Sequence, residues 1–337
     1  MCLESQDRES MPTLTIPNEA SIRTIRNFLS GNSPFCDTNN PAELVMHPKW
    51  AFMDPTAMAI VAAWGGWCQR NGCSINAQNL SGPHLKYAIR IGLFEHLNVS
   101  HAPLVAEHEE AGRFIPLTQV KTNADLAAVI GNVSALLHLD REPHGLAAVQ
   151  YCISELIRNV LEHSGSTEGA YVCAQRYTSD PHHVSIAVAD CGVGIASTLS
   201  YAYPEAESND ETALRLAMQL GITGAAKSGM YAATDNAGAG LFFTRAIAKA
   251  TGGYFGLLSG NGLFRIKRLR KRENPVVYRD AFQDPRHNFW QLKWEWPGTV
   301  AAVEIFTQNV RNFPKFFQSI VQQLPAKKTA AGKIKFT

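Results

Sequence analysis

The stretch "VADCGVGI", residues 188–195, places an acid at the end of an apolar run, with two glycines just beyond it. Upstream, "HVSIAVAD" predicts a strand that ends at Asp190. Gly192 and Gly194 permit a tight turn, or a ligand lying close against the backbone. D-x-G-x-G alone is an everyday turn. Its weight comes from its neighbours.

The preceding helix, residues 145–164, contains Glu155, Asn159 and His163 in an E-x-x-x-N-x-x-x-H series. Steps of four residues drift by only about 40°, so the three share one face. Cys152, Ile153, Leu156, Ile157, Val160 and Leu161 form the adjoining apolar stripe. Asn is a mediocre helix former, and mid-helix it calls for a reason. A magnesium ion supplies one, because it takes oxygen ligands, waters and phosphates. A solvated polar stripe is the plainer alternative. Downstream, "GAGLF" at 238–242 opens a helix, where glycines and the helix dipole suit an anion. "WPGTV" at 296–300 ends a loop and starts a strand.

The 337 residues are 45% hydrophobic and 18% charged, with a net charge of +2. That suits a globular chain with a large core and implies no polyanion partner. Seven scattered cysteines, an odd number, do not read as a disulfide framework, and no zinc spacing follows them. "MCLESQDRES" lacks a signal-peptide core, and "AMAIVAAW" is too short to span a bilayer. A reducing cytoplasm is the expected compartment.

Residues 1–20 read as irregular, and 21–29 carry helical spacing. "AELVMH", "MDPTAMAIVAAWGGWCQRNG", "CSINAQNL" and "GPHLKYAIRIGLFEHL" then predict strand, helix, strand, helix, a small α/β unit over 21–100. Residues 101–112 read as a linker. Residues 113–308 begin with a strand and two helices, pass through the two strands around Asp180-Pro181, and end strand-rich. Residues 309–337 hold a short helix and a basic tail.

Taken in order, "ELIRNVLEHS", "VADCGVGI", "GAGLFFTRAIAKATGG" and "PGTVAAVEIF" resemble the GHKL ATPase superfamily, which includes gyrase-type and histidine-kinase-type ATP-binding domains. The anti-sigma-factor serine kinases are the nearest branch. The resemblance covers residues 113–308. It implies a Bergerat-type α/β sandwich, with helices on a mixed sheet, that binds ATP and Mg²⁺. Asn159 then corresponds to the magnesium ligand and Glu155 to the catalytic base. Asp190 corresponds to the acceptor for the adenine amine, Gly192, Gly194 and Ile195 to the base and sugar wall, and Thr299 to a hydroxyl that helps hold adenine. His163, Gly238, Gly240 and Leu241 complete the nucleotide set, with residues 200–237 as a lid.

"FMDPTAMAIVAAW" and "CSINAQNLSGPHLKYAIRIGLFEHL" resemble the C-terminal half of a STAS (sulfate-transporter and anti-sigma-antagonist) domain. Thr56 stands where that family carries a phosphoacceptor. Pro55 and Ala57 depart from the family pattern, and Asp54-Pro55-Thr56 also reads as a plain helix start. "GITGAAKS" at 221–228 approaches a phosphate-binding P-loop, but Ala226 replaces the required glycine. "RIKRLRKR" at 265–272 lacks interleaved aromatics, so a solvated hairpin is expected there and nucleic acid is not.

The resulting expectation is a regulatory Mg-ATP protein that phosphorylates a Ser or Thr of a protein partner, itself STAS-type or sigma-factor-like. The alternatives are an ATP-dependent switch without turnover and an ATPase that works as a homodimer.

Overall fold

A computed structural model describes residues 11–35, 41–81, 85–101, 114–179, 182–222, 238–270 and 273–322. The linker at 102–112, most of the P-loop-like stretch, the later part of the expected lid and the basic tail lie outside the described residues.

The first part of the chain runs β1 (Thr13–Ile16), β2 (Glu19–Ala20), α1 (Ile25–Phe28), β3 (Ala42–Met46), β4 (Phe52–Met53), α2 (Pro55–Arg70), β5 (Ile75–Gln78), α3 (Lys86–Arg90) and α4 (Leu93–His96). β1, β3 and β5 form a parallel sheet with β3 in the middle. A parallel pair, β2 with β4, stands beside it. The expected irregularity of residues 1–20 is therefore corrected for 13–20. Pro12 and Pro17 bracket β1 rather than abolish it, and alternation buries Leu14 and Ile16. The helix expected over 21–29 shrinks to the single turn of α1. The helix expected over 82–97 is divided at Gly92, whose φ of 83° ends α3 and starts α4.

α2 starts as its sequence dictates. Asp54 is extended, its Oδ1 accepts the Ala57 N–H at 3.1 Å, and Pro55 takes the first helical position. Almost every residue from Pro55 to Gly66 is buried. A helix apolar on all sides must be covered on all sides.

The rest of the chain supplies that cover. It runs β6 (Phe114–Val120), α5 (Asn123–Leu137), α6 (Pro143–His163), β7 (Ala170–Tyr177), β8 (His183–Ala189), α7 (Gly194–Ser200), α8 (Asp210–Ala217), α9 (Gly240–Thr251), β9 (Phe255–Ile266), β10 (His287–Ile305) and α10 (Phe313–Gln322). The five strands lie in the order β6-β7-β8-β10-β9, and every neighbouring pair is antiparallel. The expectation of a mixed sheet is corrected here. Two helices between β6 and β7 return the chain to the edge it left, so β7 runs back against β6. Among the described residues parallel pairing is confined to the N-terminal strands. The strand-rich end of this part consists of two long strands, β9 and β10. β10 passes straight through Gly298-Thr299, with register shifts between Gln291 and Trp296 and between Trp296 and Thr299.

Alternation gives this sheet two buried faces. Ala301, Val303 and Ile305 of β10 pack with α5, α6 and α9. Trp294, Trp296, Val300 and Ala302 face the other way, into a core shared with α2. α2 crosses β7 and β8 so closely that a Cβ at Gly66 would lie 2.0 Å from the Tyr171 hydroxyl. The chain is thus a mixed α/β protein of the α+β kind, with helices on both sides of its largest sheet. Among the described residues no helix is long and apolar enough to cross a membrane.

Candidate nucleotide site

Asp190 is built by the end of β8. The register pairs Ala189 with Val300, and the Asp190 N–H donates to the Thr299 carbonyl at 2.9 Å. Alternation puts the Asp190 and Thr299 side chains on the sheet face that carries α6 and α9, with Val188 and Ala301. Asp190 Oδ1 accepts the Gly192 N–H at 2.7 Å, a side-chain turn that reverses the chain. Its Oδ2 is buried without a hydrogen-bond partner, and the residue is 1% exposed. Burial pushes this carboxyl up to about 7, against the pull of the backbone hydrogen bonds at Gly192 and Thr299.

The loop after Asp190 is pressed between β10 and the end of α6. A Cβ on Gly192 would lie 2.1 Å from the Ser164 carbonyl oxygen, and that oxygen accepts the Val193 N–H at 2.8 Å. Gly194 has φ 77° and Gly298 φ 107°, both in the left-handed region. A Cβ on Gly298 would lie 2.4 Å from the Asp190 carbonyl oxygen. Ile195, 8% exposed, joins the core, and its N–H donates to Ser259 Oγ at 2.9 Å. Ser259 Oγ in turn donates to the Gly298 carbonyl at 2.7 Å. Ser259 thus ties β9, α7 and the β10 bulge together. Sequence reasoning missed it: "GLLSG" sets the serine after two adjacent leucines and marks no partner for it.

The motif residues of α6 meet this loop and α9. Glu155, Asn159 and His163 are all half-buried along one line of the helix. A Cβ on Gly240 would lie 2.5 Å from Glu155 Oε2, so the first turn of α9 abuts that carboxylate. Burial raises the Glu155 carboxyl above its ordinary value; Arg158, 3.8 Å away, opposes this and Glu162 adds to it. Asn159 Nδ2 is buried without a partner. The His163 carbonyl accepts the Thr198 hydroxyl at 3.3 Å, and its ring stands 3.9 Å from Glu162. Gly238 has φ 76°, and its carbonyl accepts the Gly221 N–H at 3.0 Å. Leu241 packs on the core, and α9 begins without a side-chain cap.

Among the described residues no group of three His, Cys, Asp or Glu could hold a metal ion. A magnesium ion at this site would depend on the Asn159 amide oxygen, waters and phosphate oxygens. That donor set is all oxygen and fits the ion.

Thr56 stands apart. It is 1% exposed at the start of α2, and its hydroxyl donates to Asp54 Oδ2 at 3.2 Å. In this fold it is a helix-start residue with no face to solvent.

α2 reaches the same loop from the other side of the sheet. Cys191 Sγ donates to the Ala63 carbonyl at 3.4 Å, and Arg70 Nη2 donates to the Cys191 carbonyl at 3.3 Å. No family model matches the sequence, and no curated protein matches it.

Proposed function

We propose that the chain binds Mg-ATP between α6, the 190–195 loop and the first turn of α9, and uses it to phosphorylate a Ser or Thr of a regulatory protein partner. One observation carries this reading. Side-chain groups that are costly to bury unpaired, Asp190 Oδ2 and the Asn159 amide, sit on the same sheet face, in a loop and a helix that pack together. Asp190 Oδ2 suits an exocyclic amine, and a site built to pair an amine discriminates strongly against rings without one. The Asn159 oxygen would hold the magnesium. Bound magnesium neutralises charge on the phosphates.

Glu155 then takes the role of base. Its carboxylate accepts the proton of the incoming hydroxyl, whose oxygen bonds to the γ-phosphorus as ADP leaves. A carboxyl raised by burial suits that task better than a solvated one.

A second reading is a nucleotide-dependent switch without turnover. It is favoured by the two hydrogen bonds that link α2 to Cys191. Incubation with γ-labelled ATP and Mg²⁺ separates the readings. Label on a partner protein supports the kinase, and intact bound ATP supports the switch. Absence of any Mg-ATP binding would sink both.

A further inference from the structure

A cleft of about 520 Å³ opens at the bulged middle of β10, beside Gly192 and Gly194. We propose that it is a binding site for an organic cation, an amine or quaternary ammonium carried on an apolar frame. The inference does not rest on the nucleotide reading. Asp190, Asn159 and Thr299 are not among the described residues that line the cleft.

Three aromatic residues line it: Phe35 and Trp67, both half-buried, and Trp296, which is 1% exposed. The Phe35 ring makes edge-on contacts with Trp67, at 5.0 Å between centroids and 77°, and with Trp296, at 5.3 Å and 73°. The Trp296 indole is fixed by its N–H, which donates to the Asp190 carbonyl at 2.9 Å. These rings are therefore held in place before any ligand arrives. Ring faces attract cations, and most strongly those of Trp.

The charges agree with the rings. Asp210 and Glu295 line the same cleft, and no Lys, Arg or His is among its described lining residues. Asp210 is held in position by the Asn261 N–H, which donates to its Oδ2 at 2.7 Å. A Cβ on Gly260 would lie 2.2 Å from that oxygen, so glycine is what lets the carboxylate reach the wall. Arg70, the basic residue bonded to the neighbouring loop, has one guanidinium nitrogen on the Cys191 carbonyl. A volume of this size admits a ligand with a substantial apolar body. An anion would meet two carboxylates; a cation meets two carboxylates and the half-buried rings of Phe35 and Trp67, which Trp296 backs from the core.

The test uses phenyltrimethylammonium, its neutral isostere tert-butylbenzene, and the full chain. Binding is followed by tryptophan fluorescence and calorimetry. The expected result is saturable quenching by the cation, with the neutral isostere at least about tenfold weaker. Asp210→Asn with Glu295→Gln lowers the cation's affinity about tenfold, one screened charge contact at each carboxylate, and leaves Tm unchanged. Should the double variant fail to fold, the exposed Glu295→Gln alone gives about a threefold loss. Three results would overturn the proposal: no saturable response, equal binding of the isostere, or charge variants that fold normally and bind unchanged. Competitive displacement of the probe by ATP would also overturn it, by assigning the cleft to the purine.

Discussion

Asp190 and Asn159 make different demands on a ligand, and single substitutions separate them. Asn159→Ala removes the oxygen proposed to hold magnesium, so Mg-ATP affinity measured by calorimetry is expected to fall by more than about tenfold while Tm holds. Glu155→Gln leaves that affinity close to wild type and lowers turnover by about 10²-fold or more; unchanged turnover rejects the base. Burial pushes the Asp190 carboxyl up to about 7. With Oδ1 accepting the Gly192 N–H, the proton of the neutral acid sits on Oδ2, and only the ionised form leaves Oδ2 open to accept from an amine. ATP affinity therefore rises as the pH climbs through 7, and Asp190→Asn flattens the part of that profile beyond the titration of ATP itself. Asp190, Asn159 and Glu155 were legible because their spacing is fixed by one helix and one strand end. Ser259 was not, because its partners, Ile195 and Gly298, lie 64 and 39 positions away. Only folding brings them to one hydroxyl.

Elements carry the next set of consequences. Gly298 has left-handed backbone and no room for a Cβ, so Gly298→Ala strains the β10 bulge and pushes on Asp190 together. A stability loss of about 2 kcal/mol or more, read from chemical denaturation, accompanies weaker ATP binding. Gly131 is the opposite case. It lies exposed inside α5, and a Cβ there would meet nothing within 4 Å, so Gly131→Ala stabilises by about 0.5–1 kcal/mol. Helix starts were readable because Asp54-Pro55 and Thr122 to Asp125 carry their own caps. Strand continuity was not. Gly260, Gly262 and Gly298 look like breaks in the sequence, yet the long ladder between β9 and β10 bridges them.

At the scale of the molecule, both faces of the large sheet carry helices. A fragment covering 114–322 loses α2 and bares Tyr171, Trp294, Trp296 and Val300. It is expected to be insoluble or to bind a hydrophobic dye, where the full chain does not. Two buried carboxyls also shape the pH response. Burial pushes Asp54, like Asp190, up to about 7. Between the ordinary carboxylate value and about 7 the folded state holds protons that the unfolded state has released, so stability falls as pH rises through that window and levels off above it. Thermal scans should show Tm declining across it, and Asp54→Asn should flatten the decline. The strand-helix alternation of the first part of the chain was visible in the sequence pattern. The burial of one part against the other was not, because a helix apolar on every side states that it is covered and says nothing of what covers it.

Cys191 had no role by sequence, yet its thiol and its carbonyl are both held by α2, from positions 128 and 121 residues earlier in the chain. The loop at 190–195 is thereby a joint with two levers, one on each side of the sheet. A substitution that shifts α2 at Ala63 or Arg70 therefore disturbs the same loop that the proposed nucleotide would meet from α6, and suppressors of a damaged loop should be sought in α2 as readily as in the loop itself.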